Sequence, residues 1–118
     1  MALTRDFRET IRERAQREPA FRQALLREGM ELMASGDFAT GRAILRNYIN
    51  ASMGFQELAR KTHISSPSLQ RMFGPKGNPS AANLFGVIAA LQKAENVNVE
   101  LQLRPTAHSQ PESLTPAC

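Results

Sequence analysis

Apolar residues recur every three or four positions along most of the chain, and this spacing restricts the possible fold more than any other feature of the sequence. Such spacing collects apolar side chains on one face of an α-helix, and each helix must bury that face against another element. The pattern therefore predicts an all-α fold, a bundle of about six helices. The predicted helices span residues 5–18, 20–35, 38–51, 55–62, 66–73 and 81–93.

Residues that favour helix ends stand at the boundaries of these segments. Pro19 either ends the first helix or opens the second as its first residue, where a missing N–H has little consequence. Gly36 stops the second helix, because glycine tolerates the left-handed backbone that often follows a helix. Short polar residues that can cap a helix N-terminus are Thr4, Asp37, Ser65 and Ser80.

The hydrophobic period changes to two after residue 96. The alternating apolar residues are Val97, Val99, Leu101 and Leu103. They predict a short C-terminal β-strand within residues 95–104. A lone strand needs a partner, so this segment either lies on the core as an extended tail or pairs with the same strand of a second subunit. Residues 105–118 are rich in proline and poor in apolar residues, and we expect them to be disordered.

Length and composition argue against several classes of protein. A chain of 118 residues can bury a sufficient core as one domain. Cys118 has no partner cysteine, and His63 and His108 lie far apart without other ligands at metal-binding spacing, so we expect no disulfide and no metal site. No apolar run approaches the roughly 18 residues that span a bilayer, and the start MALTRDFRE lacks a signal peptide's apolar stretch. We expect a cytoplasmic protein without a membrane partner.

Catalytic and cofactor-binding patterns are also missing. No nucleophile, base and orienting group fall into a recognisable arrangement, so we expect no enzyme. The stretch GPKGNPS at residues 74–80 fails the nucleotide-binding pattern, because no Lys-Ser or Lys-Thr follows its second glycine. We therefore expect no cofactor.

Positive charge is concentrated in one part of the chain. The net charge is +4, and residues 54–94 carry five basic residues against a single acid, Glu57. A basic patch indicates phosphate-rich partners only weakly, because solvated lysine and arginine faces are common.

Residues 55–73 have the spacing of two short helices that cross at a turn. Ala59 is small where the helices would approach closely, and His63 stands four residues later in a turn that must accept a positive φ. Leu69, ten residues after Ala59, would lock the second helix against the first. This is the spacing of a helix-turn-helix, whose second helix enters the major groove of DNA.

The predicted second helix begins with polar side chains, as a helix that reads base edges requires. In that role Gln70 would bond adenine, Arg71 would bond guanine or a phosphate, and the serines would contact bases or backbone. The alternative for each residue is a solvated surface position. The predicted DNA-binding residues, including one at the start of the first helix and two in the following loop, are Gln56, Ser66, Ser68, Gln70, Arg71, Lys76 and Asn78.

The stretch QELARKTHISSPSLQRMFGPKGNPSAANLFGVIAAL resembles the phage-repressor-type helix-turn-helix proteins, especially the addiction-module antidote proteins. Their pattern runs LA-x-x-T-G-[LI]-S, then a short helix, then SP-x-GNPS and a final helix. The resemblance covers roughly residues 54–92, and the chain departs from it at His63, where the family usually has glycine. The matching residues are Leu58, Ala59, Thr62, Ile64, Ser65, Leu69, Pro75, Gly77, Asn78, Pro79 and Ser80.

The resemblance implies a sequence-specific DNA-binding transcriptional regulator, and three interpretations are open. The protein is the antitoxin of a toxin–antitoxin pair, or a phage-type repressor without a toxin, or a helical protein-interaction module. The third is suggested by GDFATGRAILRNYINA, which looks like one unit of a helical repeat but has no second copy. A neighbouring toxin gene would separate the first two, and salt-dependent DNA binding would separate both from the third.

The expected partners are double-stranded DNA, a second copy of the chain and, for an antitoxin, a protein toxin. One recognition helix contacts few base pairs, so such proteins commonly bind two half-sites about 34 Å apart through a two-fold axis. The sequence divides accordingly into four regions. They are residues 1–53 for dimer or partner binding, 54–94 for DNA binding, the strand in 95–104 as the favoured dimer joint, and the tail 105–118.

Overall fold

The computed structural model describes the backbone of residues 5–106 and the side chains of residues 10–106. The described residues form helices and contain no β-strand, so the predicted all-α architecture is confirmed. Every helix boundary falls within about two residues of its prediction, the usual uncertainty of helix ends. The helices are α1 (Arg5–Arg17), α2 (Pro19–Ala34), α3 (Phe38–Ala51), α4 (Gly54–Thr62), α5 (Ser66–Met72) and α6 (Ala81–Glu95).

The predicted capping residues explain where three helices begin. The Asp37 carboxylate accepts a hydrogen bond from the Thr40 N–H at 3.2 Å at the start of α3. Ser65 and Ser80 cap α5 and α6 in the same way. Pro19 is the first residue of α2, as expected. The predicted cap Thr4 lies outside the described residues, and so does the side chain of Phe7.

The apolar faces of α2 to α6 meet in a single core. The side chains in its centre are those placed on the apolar helix faces by their spacing in the sequence. The buried core residues are Leu26, Leu45, Tyr48, Ile49, Phe55, Leu58, Leu69, Phe73, Val87 and Leu91.

Helices α2 and α3 approach each other at two glycines. A Cβ atom on Gly41 would lie 2.5 Å from Cγ of Met33 and 2.7 Å from the carbonyl oxygen of Gly29. A Cβ atom on Gly29 would lie 2.8 Å from Cδ2 of Leu45. Because these distances are far below van der Waals contact, glycine is the residue that this crossing admits.

A partly buried polar cluster joins α6 to the N-terminal helices. The Arg22 guanidinium donates to both carboxylate oxygens of Glu95 at 3.0 and 2.8 Å, and the Tyr48 hydroxyl donates to the same carboxylate at 2.5 Å. Burial opposes ionisation of Glu95, but the hydrogen bonds from Arg22 and Tyr48 outweigh it and lower the pKa of Glu95. Burial and the neighbouring carboxylate raise the pKa of Tyr48. The cluster therefore holds an ionised carboxylate against two donors.

The predicted strand in residues 95–104 does not form within the described chain. Glu95 ends α6, Asn96 follows with a left-handed φ of 60°, and residues 97–106 have no regular structure. The physical reason is that the described chain has no second strand to pair with, and the Val99 N–H instead donates to the Gln92 side chain at 2.8 Å. Of the predicted disordered tail, residues 107–118 lie outside the described residues.

Candidate nucleic-acid interface

Helices α4 and α5 are joined by residues 63–65 and anchored to the core from both sides of this turn. Leu58 of α4 and Leu69 of α5 are fully buried, and the rings of Phe55 and Phe73 lie 6.4 Å apart. Ile64, inside the turn, is half-buried and packs against the same core. The position of α5 relative to α4 is therefore set by apolar contacts.

The turn depends on His63, which adopts φ 61° and ψ 25°, the left-handed region. Its N–H donates to the Ala59 carbonyl at 2.9 Å, so the backbone closes α4 there. Thr62 supports the turn, because its hydroxyl donates to the Leu58 carbonyl at 2.8 Å and accepts from the Ile64 N–H at 3.3 Å. The predicted positive φ at His63 is confirmed.

Four of the seven predicted residues lie together on α5. Ser66 and Ser68 are half-buried, whereas Gln70 and Arg71 are exposed. The Gln70 amide donates to the Ser66 hydroxyl at 3.1 Å, and the Arg71 guanidinium donates to the Ser68 hydroxyl at 3.2 Å. These bonds join neighbouring side chains of the same helix and leave donors of Gln70 and Arg71 available to another molecule.

The loop that carries Lys76 and Asn78 folds back on the C-terminal end of α5. The Gly74 N–H donates to the Arg71 carbonyl at 3.1 Å, and the Gly77 N–H donates to the Gly74 carbonyl at 2.9 Å. A Cβ atom on Gly77 would lie 2.5 Å from the Arg71 carbonyl oxygen, so this approach requires glycine. Lys76 and Asn78 are both exposed at the end of the polar helix.

A residue of α3 that sequence reasoning missed also holds this loop. The two terminal nitrogens of Arg42 donate to the carbonyls of Gly77 and Pro75, each at 3.0 Å. The guanidinium carbon also lies 5.4 Å from the centre of the Phe38 ring. No sequence signal could have indicated these bonds, because they join residues that are brought together only by the packing of the helices.

Gln56 stands apart from the other predicted residues. It is exposed in the first turn of α4, and no hydrogen bond joins it to α5 or the loop in the described part of the chain. The structure therefore groups Ser66, Ser68, Gln70 and Arg71 on one helix, places Lys76 and Asn78 in the adjoining loop, and leaves Gln56 alone on α4.

The basic residues of α4 and of the α5 region differ in whether an acidic side chain lies beside them. Glu57 accepts a hydrogen bond from Arg60 and lies 3.6 Å from the Lys61 nitrogen, and these cations lower the pKa of Glu57. By contrast, the ion pairs found within the described residues include neither Arg71 nor Lys76. Arg71 and Lys76 thus carry charges that no ion pair within the described residues offsets.

Two further observations bear on the kind of site. Among the described side chains, those of residues 10–106, groups of three or more that could bind a metal ion are not found. Each helix of the described chain is too short or too polar to cross a membrane.

No family model, curated protein or solved structure matches the chain.

Proposed function

We propose that the protein is a sequence-specific DNA-binding regulator that inserts α5 into the major groove. The observation that carries the proposal is the set of side chains on α5, in which Ser66, Ser68, Gln70 and Arg71 form one polar side. The opposite side of the helix is anchored by buried Leu69. Such an arrangement lets a helix present polar groups to base edges without loss of its own packing.

The chemistry of these side chains suits direct readout. A glutamine amide can bond adenine through two hydrogen bonds, and an arginine can bond guanine in the same bidentate manner. The two serines are short enough to let the helix backbone approach the bases. In the described part of the chain, the exposed amide and guanidinium bond to serine hydroxyls, and these weak contacts can be exchanged for contacts with DNA.

Phosphate contacts would come from the flanks of the helix. Lys76 and Asn78 are exposed in the adjoining loop, and Gln56 is exposed at the start of α4. Contacts of this kind fix the register of a protein on the duplex but do not read sequence. The basic excess of residues 54–94 supports the same role.

The test is selection of bound sequences from a random pool of double-stranded DNA, followed by affinity measurements over a range of salt concentrations. We expect a defined sequence to be enriched, with log affinity falling by about 0.9 per contacted phosphate for each unit of log salt concentration. If no sequence is enriched and no binding occurs at low salt, the chain is instead a helical protein-interaction module.

The resemblance of residues 54–92 to antidote proteins supports the narrower proposal that this regulator is an antitoxin. The neighbouring gene should then encode a protein that stops growth when expressed alone and co-purifies with this chain when both are expressed. A chain that represses from its operator without such a neighbour would instead be a phage-type repressor.

We also propose that the regulator acts as a two-fold dimer. Leu101 and Leu103 are 85% and 99% exposed, and pairing of this segment with its copy would cover them. Replacing both with lysine should convert a dimer to a monomer, as measured by mass in solution, and should weaken binding to a palindromic site. A double variant that stays dimeric would place the joint on another surface, such as the N-terminal helices.

A further inference from the structure

Arg42 of α3 donates hydrogen bonds to backbone carbonyls of the loop after α5 and not to a carboxylate. The ion pairs within the described chain do not include it. Instead, Nη1 donates to the Gly77 carbonyl and Nη2 donates to the Pro75 carbonyl. Two separate nitrogens on one rigid plane thus hold two carbonyls of the same loop, an arrangement that the planar fork of arginine permits and a lysine ammonium does not reproduce.

The loop is also held from its other side. Gly77 lies so close to the Arg71 carbonyl that no side chain fits, and the Gly74 N–H bonds to that same carbonyl. Lys76 lies between the residues that are held in this way, and its side chain is exposed. The loop is therefore held between α3 and the end of α5. Lys76 forms no ion pair with an acidic residue of the described chain.

We propose that Arg42 is a positioning residue for DNA binding, which holds residues 75–77 so that Lys76 meets a phosphate beside the base-reading side of α5. This inference rests on the proposed function. A loop that is already ordered loses less conformational entropy when it binds, and so binds more tightly than a loop that must be ordered first. Arg42 acts through Lys76 and does not need to touch DNA itself.

The experiment compares the full-length wild type with Arg42→Lys, Lys76→Ala and the double variant, using the DNA selected by the wild type. Arg42→Lys keeps the positive charge and removes the fork. We expect it to lower affinity about three- to tenfold. Lys76→Ala should weaken binding to selected and random DNA alike and reduce the salt slope by about one. In the double variant, loss of the fork should have almost no further effect.

A matched control and a measurement without DNA complete the test. Arg46→Lys makes the same replacement one helical turn further along α3, where no bond to the loop is present. It should bind like the wild type. Hydrogen exchange of the Gly77 amide, which bonds to Gly74, should be faster in Arg42→Lys than in Arg46→Lys. This exchange reports on the loop whether or not DNA is bound.

The outcomes separate this inference from the function on which it rests. If the wild type binds DNA and Arg42→Lys binds equally well, or if its effect simply adds to that of Lys76→Ala, the positioning role is overturned while DNA binding stands. If the wild type binds no DNA, both proposals fall, although faster exchange at Gly77 would still show that Arg42 holds the loop.

Discussion

The α2–α3 pair and the α4–α5 pair each bring two helices together, but by different means. In α2–α3 the backbones approach at Gly29 and Gly41, and even a methyl group has no room. In α4–α5 the helices are linked by a short turn with a left-handed residue, His63, and are anchored by a few apolar side chains. Close backbone packing fixes the arrangement of α2 and α3, whereas a turn and a few buried side chains fix the arrangement of α4 and α5.

As a result, the α4–α5 pair has a polar surface whose side chains are not needed to pack the two helices together. Within the described residues, the side chains of Gln70 and Arg71 bond to serines of their own helix, and both are exposed. Substitutions at the α2–α3 crossing should therefore change stability, whereas substitutions on the polar side of α5 should change only binding.

The largest effect should come from the anchor of α5. Leu69→Ala removes a fully buried side chain and should lower the free energy of unfolding by about 2–5 kcal/mol, as measured by denaturant unfolding. Arg27→Ala is the control, because Arg27 is exposed on α2 and its truncation should change stability by less than about 0.5 kcal/mol. An unchanged unfolding curve for Leu69→Ala would mean that α5 is not anchored as described.

The α2–α3 crossing should reject one added methyl group. Gly41→Ala should destabilise the protein by about 1–3 kcal/mol through overpacking, since one of the atoms in the way belongs to the backbone. Gly86→Ala is the control, because a Cβ atom on this α6 residue meets nothing within 4 Å. There the change should stabilise the helix by about 0.5–1 kcal/mol. Thermal unfolding that ranks the two variants in the reverse order would contradict the close approach.

The polar cluster between α6 and the N-terminal helices should make stability depend on pH. Because folding lowers the pKa of Glu95 below its ordinary 4.5, its contribution is present above that value and is lost as pH falls through the lower folded pKa. Glu95→Gln should cost about 1–2 kcal/mol at pH 7, with the partial exposure of Arg22 limiting the effect.

Between pH 7 and pH 3, the free energy of unfolding should fall less steeply for Glu95→Gln than for the wild type. Glu57→Gln is the control, because its exposed ion pairs are screened by solvent. An acid decline in Glu95→Gln as steep as in the wild type would show that other carboxylates govern it.

The turn should carry a small backbone strain. His63→Gly relieves the left-handed conformation of an exposed side chain and should raise the free energy of unfolding by about 0.5–1 kcal/mol. Asn96 adopts a similar φ of 60°, and because asparagine enters this region more readily, Asn96→Gly should gain less. Destabilisation by His63→Gly would mean that the imidazole has a role which its exposure does not suggest.

Local features could be predicted from the sequence, but contacts between distant parts of the chain could not. The helix ends follow from local chemistry, such as the Asp37 cap. An ion pair between charges four residues apart on the chain joins Arg14 and Glu18, at 3.1 Å. Arg22 instead pairs with Glu95, and Arg42 with the loop, because those contacts depend on how the helices pack. The predicted strand does not form within one chain, because alternation describes a side-chain pattern and does not supply a partner.

We propose that the polar side of α5 reads DNA while its apolar side holds the fold. The most direct measurement is the affinity of Gln70→Ala and Arg71→Ala for the selected DNA sequence, with thermal unfolding of each variant. Each should lose about 1–3 kcal/mol of specific binding and unfold like the wild type. Gln16→Ala and Arg27→Ala, on exposed positions of α1 and α2, should bind normally. Unchanged binding by both α5 variants, or loss of cooperative unfolding in either, would contradict the claim.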